Sequence, residues 1–210
     1  AYLISLREND QVLFGHENDY NKMVSSTATE GDVKEITGSL SGIYGIDSLS
    51  LTGAELGLTD AAEALNTAIE NSIAAAEGGS IISLSTHMPN MTNEKITVNE
   101  DGTFNFTACD FAESKDLSNN SAELVLPGGA YNAQFTAYLD IIAEYALALQ
   151  EDNIPVIFRP LHENTGNWFW WGVKGADTVK KLFRLMYDRY TNVHKLNNLI
   201  WVWTVDVTKG

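Results

Sequence analysis

Two kinds of hydrophobic pattern alternate along this chain, and that alternation limits its fold more than any other feature. Phe135, Tyr138, Leu139, Ile142, Tyr145, Ala146 and Leu149 mark one face of a long amphipathic helix. The helix is expected to stop near Asn153, because Pro155 disfavours helical dihedrals in the residue before it. A short apolar run at residues 156–158 follows. Val179, Leu182, Phe183, Met186, Tyr190 and Val193 then recur on one side of a second helix, which leads to a strand over residues 199–205 ending in Asp206.

The same grammar is present upstream. Residues 12–15 read as a strand emptying into His16, Glu17, Asn18 and Asp19, and residues 39–44 as a weaker one with Gly42 and Gly45 as breakers. Leu65, Ala68, Ile69 and Ile73 have helical spacing, with Asp60 and Glu63 as a capping box and Gly78-Gly79 as the stop. A strand at residues 81–84 finishes in Ser85, Thr86 and His87. Residues 90–129 carry no sustained period and read as an excursion over one end of the fold.

Strands separated by helices point to parallel pairing, because a parallel pair needs a long return connection. His16, His87, Glu163 and Asp206 all lie just past apolar runs, and in a (β/α)8 TIM barrel the site sits at the carboxyl ends of the strands. A doubly wound open sheet would order its site similarly, but no GxGxxG or P-loop opens a helix here. The expected fold is therefore an α/β barrel. Roughly five βα units are visible where a barrel has about eight in about 250 residues.

The 210 residues suit one domain or part of a larger one, and a hydrophobic share of 44% supplies a core. Thirteen basic against 28 acidic residues give a formal charge of -15, which argues against nucleic acid or an anionic membrane surface as partner. A neutral polysaccharide meets no such repulsion. Cys109 is the only cysteine, which excludes an intrachain disulfide and a thiolate metal cluster. No apolar run approaches the roughly 20 residues of a membrane span, and the opening AYLISLREND lacks the basic start and apolar core of a signal peptide.

Chemistry concentrates in residues 154–172, IPVIFRPLHENTGNWFWWG. A carboxylate past a hydrophobic strand, beside a histidine and a run of aromatic rings, suits glycoside chemistry: an acid for the glycosidic oxygen and flat faces for a pyranose. Core packing is the alternative explanation for the tryptophans. In a regular strand Ile157, Arg159, Leu161 and Glu163 would share one face, but Pro160 cannot donate to a ladder and is expected to break or bulge the strand. Arg159 inside a barrel would need a carboxylate partner. Zinc hydrolysis is disfavoured, since Tyr20 and Gly166 occupy the positions where HExxH needs its second histidine. Trp201 and Trp203 share one face and fit core or sugar alike. His16, His87 and His162 are candidate hydroxyl partners, and His194 is accounted for by a helix end.

RPLHENTGNWFWWG resembles the segment around the general acid/base of glycoside hydrolase family 26, best known for endo-β-1,4-mannanases. LFGHEND, GGSIISLSTHMPN and LIWVWTVD resemble the family in the same order. The resemblance implies residues 1–210 as part of a (β/α)8 catalytic domain that retains anomeric configuration. It implies Glu163 as acid/base, His87 and His162 as sugar contacts, Trp168 as a stacking platform with Trp171 shaping the same wall, and no cofactor or metal. It implies β-mannan or a related polysaccharide as partner and an extracellular or cell-surface setting. β-Glucanase or xylanase activity and a non-catalytic glycan-binding fragment are the alternatives. Thr86 stands where the family often has tryptophan, and Asn164-Thr165 where Met-Asn is usual. The family's nucleophilic glutamate belongs to a seventh strand, beyond the five visible here. Glu17 and Asp206 lie at strand ends but not at the matching position.

Overall fold

A computed structural model describes residues 2–20 and 31–205. Its strands are β1 (Gly15–Glu17), β2 (Ile43–Asp47), β3 (Ile81–Ser85), β4 (Thr97–Val98), β5 (Phe104–Asn105), β6 (Val156–Arg159) and β7 (Leu199–Trp201). Five of them form one sheet in the order β1-β2-β3-β6-β7, every neighbouring pair parallel, while β4 and β5 form a separate antiparallel hairpin. Sequential parallel strands with helical crossovers are the first five βα units of a (β/α)8 barrel, as expected from the alternation. Asp206 lies outside the described residues.

The register decides where the chemistry sits. Asp47 pairs with Ser85, and Ser85 pairs with Arg159, so the carboxyl ends of β2, β3 and β6 are level. Alternate residues point to opposite faces of a strand. Tyr44, Ile46, Ile82, Leu84, Val156 and Phe158 are buried in the core formed with the helices. The intervening residues Gly45, Ser83, Ser85, Ile157 and Arg159 therefore face the other side, the barrel lumen.

Helices pack on the outer face. Ala61–Glu77 starts at Asp60, whose carboxylate accepts from the N–H groups of Ala62 and Glu63 at 2.9 and 3.0 Å. A reciprocal capping box forms elsewhere, between Asp110 and Glu113. Helix Asn132–Glu151 buries Phe135, Tyr138, Leu139, Ile142, Tyr145 and Leu149, and each such side chain contributes roughly 1.5–3 kcal/mol. It ends where expected, with Asn153 in the left-handed region at φ 57. Helix Ala176–Asp188 continues into a π-helical turn, Arg189–Val193.

Strand positions shift from the expected ones at the first two units. β1 begins at Gly15 and Val12 is 94% exposed, while β2 starts four residues later than residue 39 would place it, at Ile43. Gly45 is no breaker. It lies mid-strand because the carboxyl of Glu17 packs directly over it, where any Cβ would collide. The 90–129 excursion is also more ordered than its composition suggests. It contains the β4–β5 hairpin and the short helices Phe111–Ser114 and Ser121–Leu124. Asn90 ties it down, donating to the carbonyls of Asp116 and Ser118 at 2.8 and 3.0 Å.

Candidate active site

β6 ends at Arg159, before Pro160, and the chain then makes a turn with Leu161 at φ 50 and Glu163 at φ 53. Left-handed backbone is costly for residues with a Cβ, so tertiary contacts must hold it. The Trp171 indole N–H donates to the carbonyl of His162 at 2.9 Å, and Trp170 donates to the carbonyl of Met88 at 2.9 Å. Asn164 donates to the carbonyls of Leu161 and Thr204 at 3.1 and 3.0 Å. These clamps break the strand alternation: Leu161 goes into the core at 0% exposure, whereas Glu163 is exposed.

Glu163 lines a cleft of about 280 Å³ with Glu17, Asp47, Glu55, Ser85, His87, Arg159 and His162. Its carboxylate Oε2 accepts from the Trp168 indole N–H at 2.9 Å. The Trp168 ring lies on Gly166, which has no Cβ to lift it away, and stays half-buried beside the acid. Trp171 has a different part. It is completely buried, with Phe169 stacked on it at 4.4 Å, so it supports the wall from behind and offers no ring to a sugar. Phe111, which the sequence pattern did not single out, is 46% exposed and meets His87 edge-to-face at 5.0 Å.

The histidines divide cleanly. His87 and His162 meet at their Nε2 atoms, 3.0 Å apart. His16 stays outside the cleft, with Nδ1 3.6 Å from Asp19, and His194 caps the turn Arg189–Val193 at a helix end, as expected, while also hydrogen-bonding Asp140 at 2.8 Å. Trp201 and Trp203 both pack on Phe183, at 5.3 and 5.0 Å, on the helix side of the sheet. Cys109 is buried, and burial pushes its thiol up to about 12.

Asp47 is the residue that sequence reasoning missed. It closes β2, and placing that strand at residues 39–44 left it unmarked. Its buried carboxylate accepts from Leu49 N–H at 3.0 Å, His87 N–H at 3.0 Å, the Ser85 hydroxyl at 2.6 Å and His87 Nδ1 at 2.9 Å. Burial opposes that charge, but the hydrogen bond and charge of His87, with Ser85 and Leu49, hold the carboxyl below its usual range. Glu55 is occupied by Asn18 and Ser50, at 2.7 and 2.9 Å.

Glu17 is an exposed residue on the edge strand β1, and it lines the cleft. Desolvation, then the charges of Asp47 and Glu55, push it up to about 7 against the pull of Arg159 and His87. Arg159, expected to need a carboxylate partner, makes no ion pair among the described residues and acts only through its field. Burial and then the charge of His87 push His162 down to about 4.

The profile of Glycosyl hydrolase family 26 matches residues 1–209. The chain belongs to that family. A mannan endo-1,4-beta-mannosidase of Bifidobacterium adolescentis is 35% identical to it over 201 residues, covering 91% of this chain and 18% of that protein. One from Thermothelomyces thermophilus is 39% identical over 143 residues, 65% of this chain and 27% of that protein. Among solved structures, a family 26 endo-beta-1,4-mannanase from Cellulomonas fimi superposes with TM-score 0.78 at 29% identity, over 96% of this chain and 43% of that one. The catalytic domain of the Bacillus sp. JAMB-750 family 26 endo-beta-1,4-mannanase gives TM-score 0.78 at 29% identity, over 97% and 52%. The chain thus spans about half or less of the length of these family 26 proteins.

Proposed function

We propose that this chain is part of the (β/α)8 catalytic domain of a retaining endo-β-1,4-mannanase, with residues 1–210 supplying about the first five βα units and Glu163 the general acid/base. The observation that carries the reading is the Glu163 carboxyl, aimed into the cleft and held by Trp168 at 2.9 Å beside the His87–His162 pair. Relatives named mannan endo-1,4-beta-mannosidase support the mannan specificity.

In this reading Glu163 gives its proton to the leaving glycosidic oxygen while a second carboxylate attacks the anomeric carbon. Glu163 then takes a proton from the water that hydrolyses the glycosyl-enzyme bond. His87 and His162 contact the sugar beside the cleaved bond, Trp168 stacks on it, and Trp171 fixes the turn that aims Glu163. Phe111 extends the apolar surface past His87.

In this reading none of the other described cleft carboxyls, Glu17, Asp47 and Glu55, serves as the second carboxylate. Asp47 is buried and held by several donors, Glu55 is engaged by Asn18 and Ser50, and burial with the charges of Asp47 and Glu55 disfavours the ionised form of Glu17 that an attacking carboxylate needs. In this reading the nucleophile is the glutamate that the family resemblance places on a later strand than the five described, and the 210 residues alone are expected to bind manno-oligosaccharide without cleaving it. A mannan polymer does not cross a membrane, so a mannan substrate implies an enzyme that acts outside the cell or on its surface. No helix among the described residues is long and apolar enough to span a bilayer.

A mannosyl fluoride trap applied to a longer form is expected to label a glutamate beyond Gly210, and a label on Glu163 or Glu17 would reverse the roles. Reducing-sugar release should be greatest on galactomannan. Preference for mixed-linkage glucan or xylan would make the enzyme a β-glucanase or xylanase. Turnover of mannan by the purified 210-residue chain would overturn the assignment of a missing nucleophile. Because β1 and β7 each have a single neighbour in the described sheet, this chain alone is expected to associate in sedimentation.

A further inference from the structure

Asp47, at the carboxyl end of β2, lines the cleft without a hydrogen bond to Glu163, and its own hydrogen bonds fix the protons of both histidines. A carboxylate only accepts, so His87 Nδ1 carries a hydrogen in either charge state of the ring. The backbone N–H of His87 and the Ser85 hydroxyl hold the same carboxylate in place, and Leu49 N–H completes it as the cap of the helix Ser48–Leu51. The remaining nitrogen, His87 Nε2, faces His162 Nε2 at 3.0 Å. Two like nitrogens at that distance need one hydrogen between them.

Which ring donates follows from the charge of His87. When His87 is neutral, its Nε2 is a lone pair and His162 must donate Nε2–H, which leaves His162 Nδ1 as a bare acceptor. When His87 is protonated, it donates and His162 must take the opposite tautomer, with Nδ1–H. His162 Nδ1 is buried without a hydrogen-bond partner, so the Nδ1–H form leaves an unpaired buried donor and is reached only when a charged His87 forces it.

We propose that Asp47 is a positioning residue that makes His87 and His162 a single proton-sharing unit, in which protonation of His87 reverses the hydrogen bond between them and switches the tautomer of His162. The relevance of that unit to sugar binding rests on the glycosidase reading, whereas the proton arrangement does not. The titratable and charged groups facing His87 are Asp47, Glu17, Glu55, Arg159, His162 and Glu163. Burial pulls its protonation down, and the hydrogen bond and charge of Asp47, with Glu55 and Glu163, more than reverse the effect.

The chain has only 4 histidines, so nitrogen-15 NMR of selectively labelled rings resolves the question without any assay of cleavage. In the wild-type chain His87 should keep Nδ1–H across its titration, and His162 should exchange Nε2–H for Nδ1–H in the same pH window without becoming charged. In Asp47→Asn, which keeps the shape and removes the charge, the His87 midpoint should fall by about one pH unit or more. An Nε2–H tautomer for neutral His87 in the wild type, or a midpoint unmoved in the variant, overturns the proposal. The wild-type measurement decides even if the variant does not fold. Manno-oligosaccharide titrations followed by tryptophan fluorescence should show a pH dependence that moves down with the His87 midpoint in Asp47→Asn. If the wild type binds no oligosaccharide at any pH, the glycosidase reading fails while the NMR result still judges Asp47.

Discussion

The turn after β6 and the rim where β2 meets β3 line the same cleft, and they are held by opposite means. At the β2–β3 rim the side-chain carboxylate of Asp47 is the anchor, saturated by donors and buried. At the turn the anchors are indole N–H groups that seize backbone carbonyls, and the carboxylate of Glu163 is left exposed with one donor, Trp168. In the proposed mechanism Glu163 must give up and retake a proton, a duty at odds with anchoring the structure, and the anchoring falls to Asp47 instead.

If the indoles hold the turn, the largest loss should come from removing one. Trp171→Ala deletes a fully buried ring and strands the His162 carbonyl, and should cost about 3–5 kcal/mol in urea unfolding. Trp171→Phe keeps most of the packing and loses the hydrogen bond, for about 1–3 kcal/mol. Equal losses in the two variants would mean that packing alone, and not the indole N–H, sets the turn.

The two histidines sharpen the contrast through pH. His162 is held near 4 against an ordinary value of 6.5, so the unfolded chain takes up a proton that the folded one refuses. Stability is therefore lost as pH falls from about 6.5 towards 4, by on the order of 3 kcal/mol. Asp47, with its folded value depressed, contributes stability above the ordinary carboxylate range that is lost as pH falls through that lower value. His87 is raised, and its contribution is complete below about 6.5 and lost as pH rises through its folded value. Urea midpoints measured from pH 4 to 8 should peak near neutrality. His162→Asn should flatten the acid limb, because the Trp171 hydrogen bond is to the backbone and survives.

How much of this was legible in the sequence varies with the physics involved. Helix Asn132–Glu151 and the parallel order followed from periodicity and from Pro155, which are local signals. The segment carrying Glu163 stood out by its residue types. Where its side chains point did not, because alternation ends at Pro160 and left-handed Leu161 and Glu163 are stabilised by Trp171 and Asn164, contacts that no local rule encodes. Asp47 was hidden for a related reason. Gly45 looked like a strand breaker, and only the packing of Glu17 across from β1 explains why a glycine stands mid-strand, two residues before the buried acid. His87 could be named from its place after β3, but its partner could be found only from the register that levels Asp47 with Ser85.

A glycine variant tests that cross-strand account at a smaller scale. Gly45→Ala places a methyl against the Glu17 carboxyl and should push it out of the cleft, at a cost of about 1–3 kcal/mol if the backbone must also give. Returned to water and freed from Asp47 and Glu55, Glu17 should titrate lower than in the wild type, where burial and those charges push it up. Carbon-13 NMR of the side-chain carboxyl reads this directly. An unchanged midpoint would show that the neighbouring charges, and not the seat over Gly45, set it.

The smallest expected change in stability belongs to the residue with the largest expected role. Glu163 is exposed, and its side chain makes one hydrogen bond among the described residues, to an indole that also rests on Gly166. Glu163→Gln preserves an acceptor for Trp168 and should move the urea midpoint by no more than about 0.5 kcal/mol in either direction. The same substitution removes the only proton that the proposed mechanism can deliver to the leaving oxygen, so in a longer, active form it should lower kcat by about 10²–10⁴-fold with substrates whose leaving group needs protonation. Substrates with an acidic phenol as leaving group need no such help in the first step, and their glycosyl-enzyme should then accumulate because deglycosylation lacks its base. A variant that lost stability and activity together would place Glu163 with Asp47 among the anchors, and the division of labour between the two sides of the cleft would be wrong.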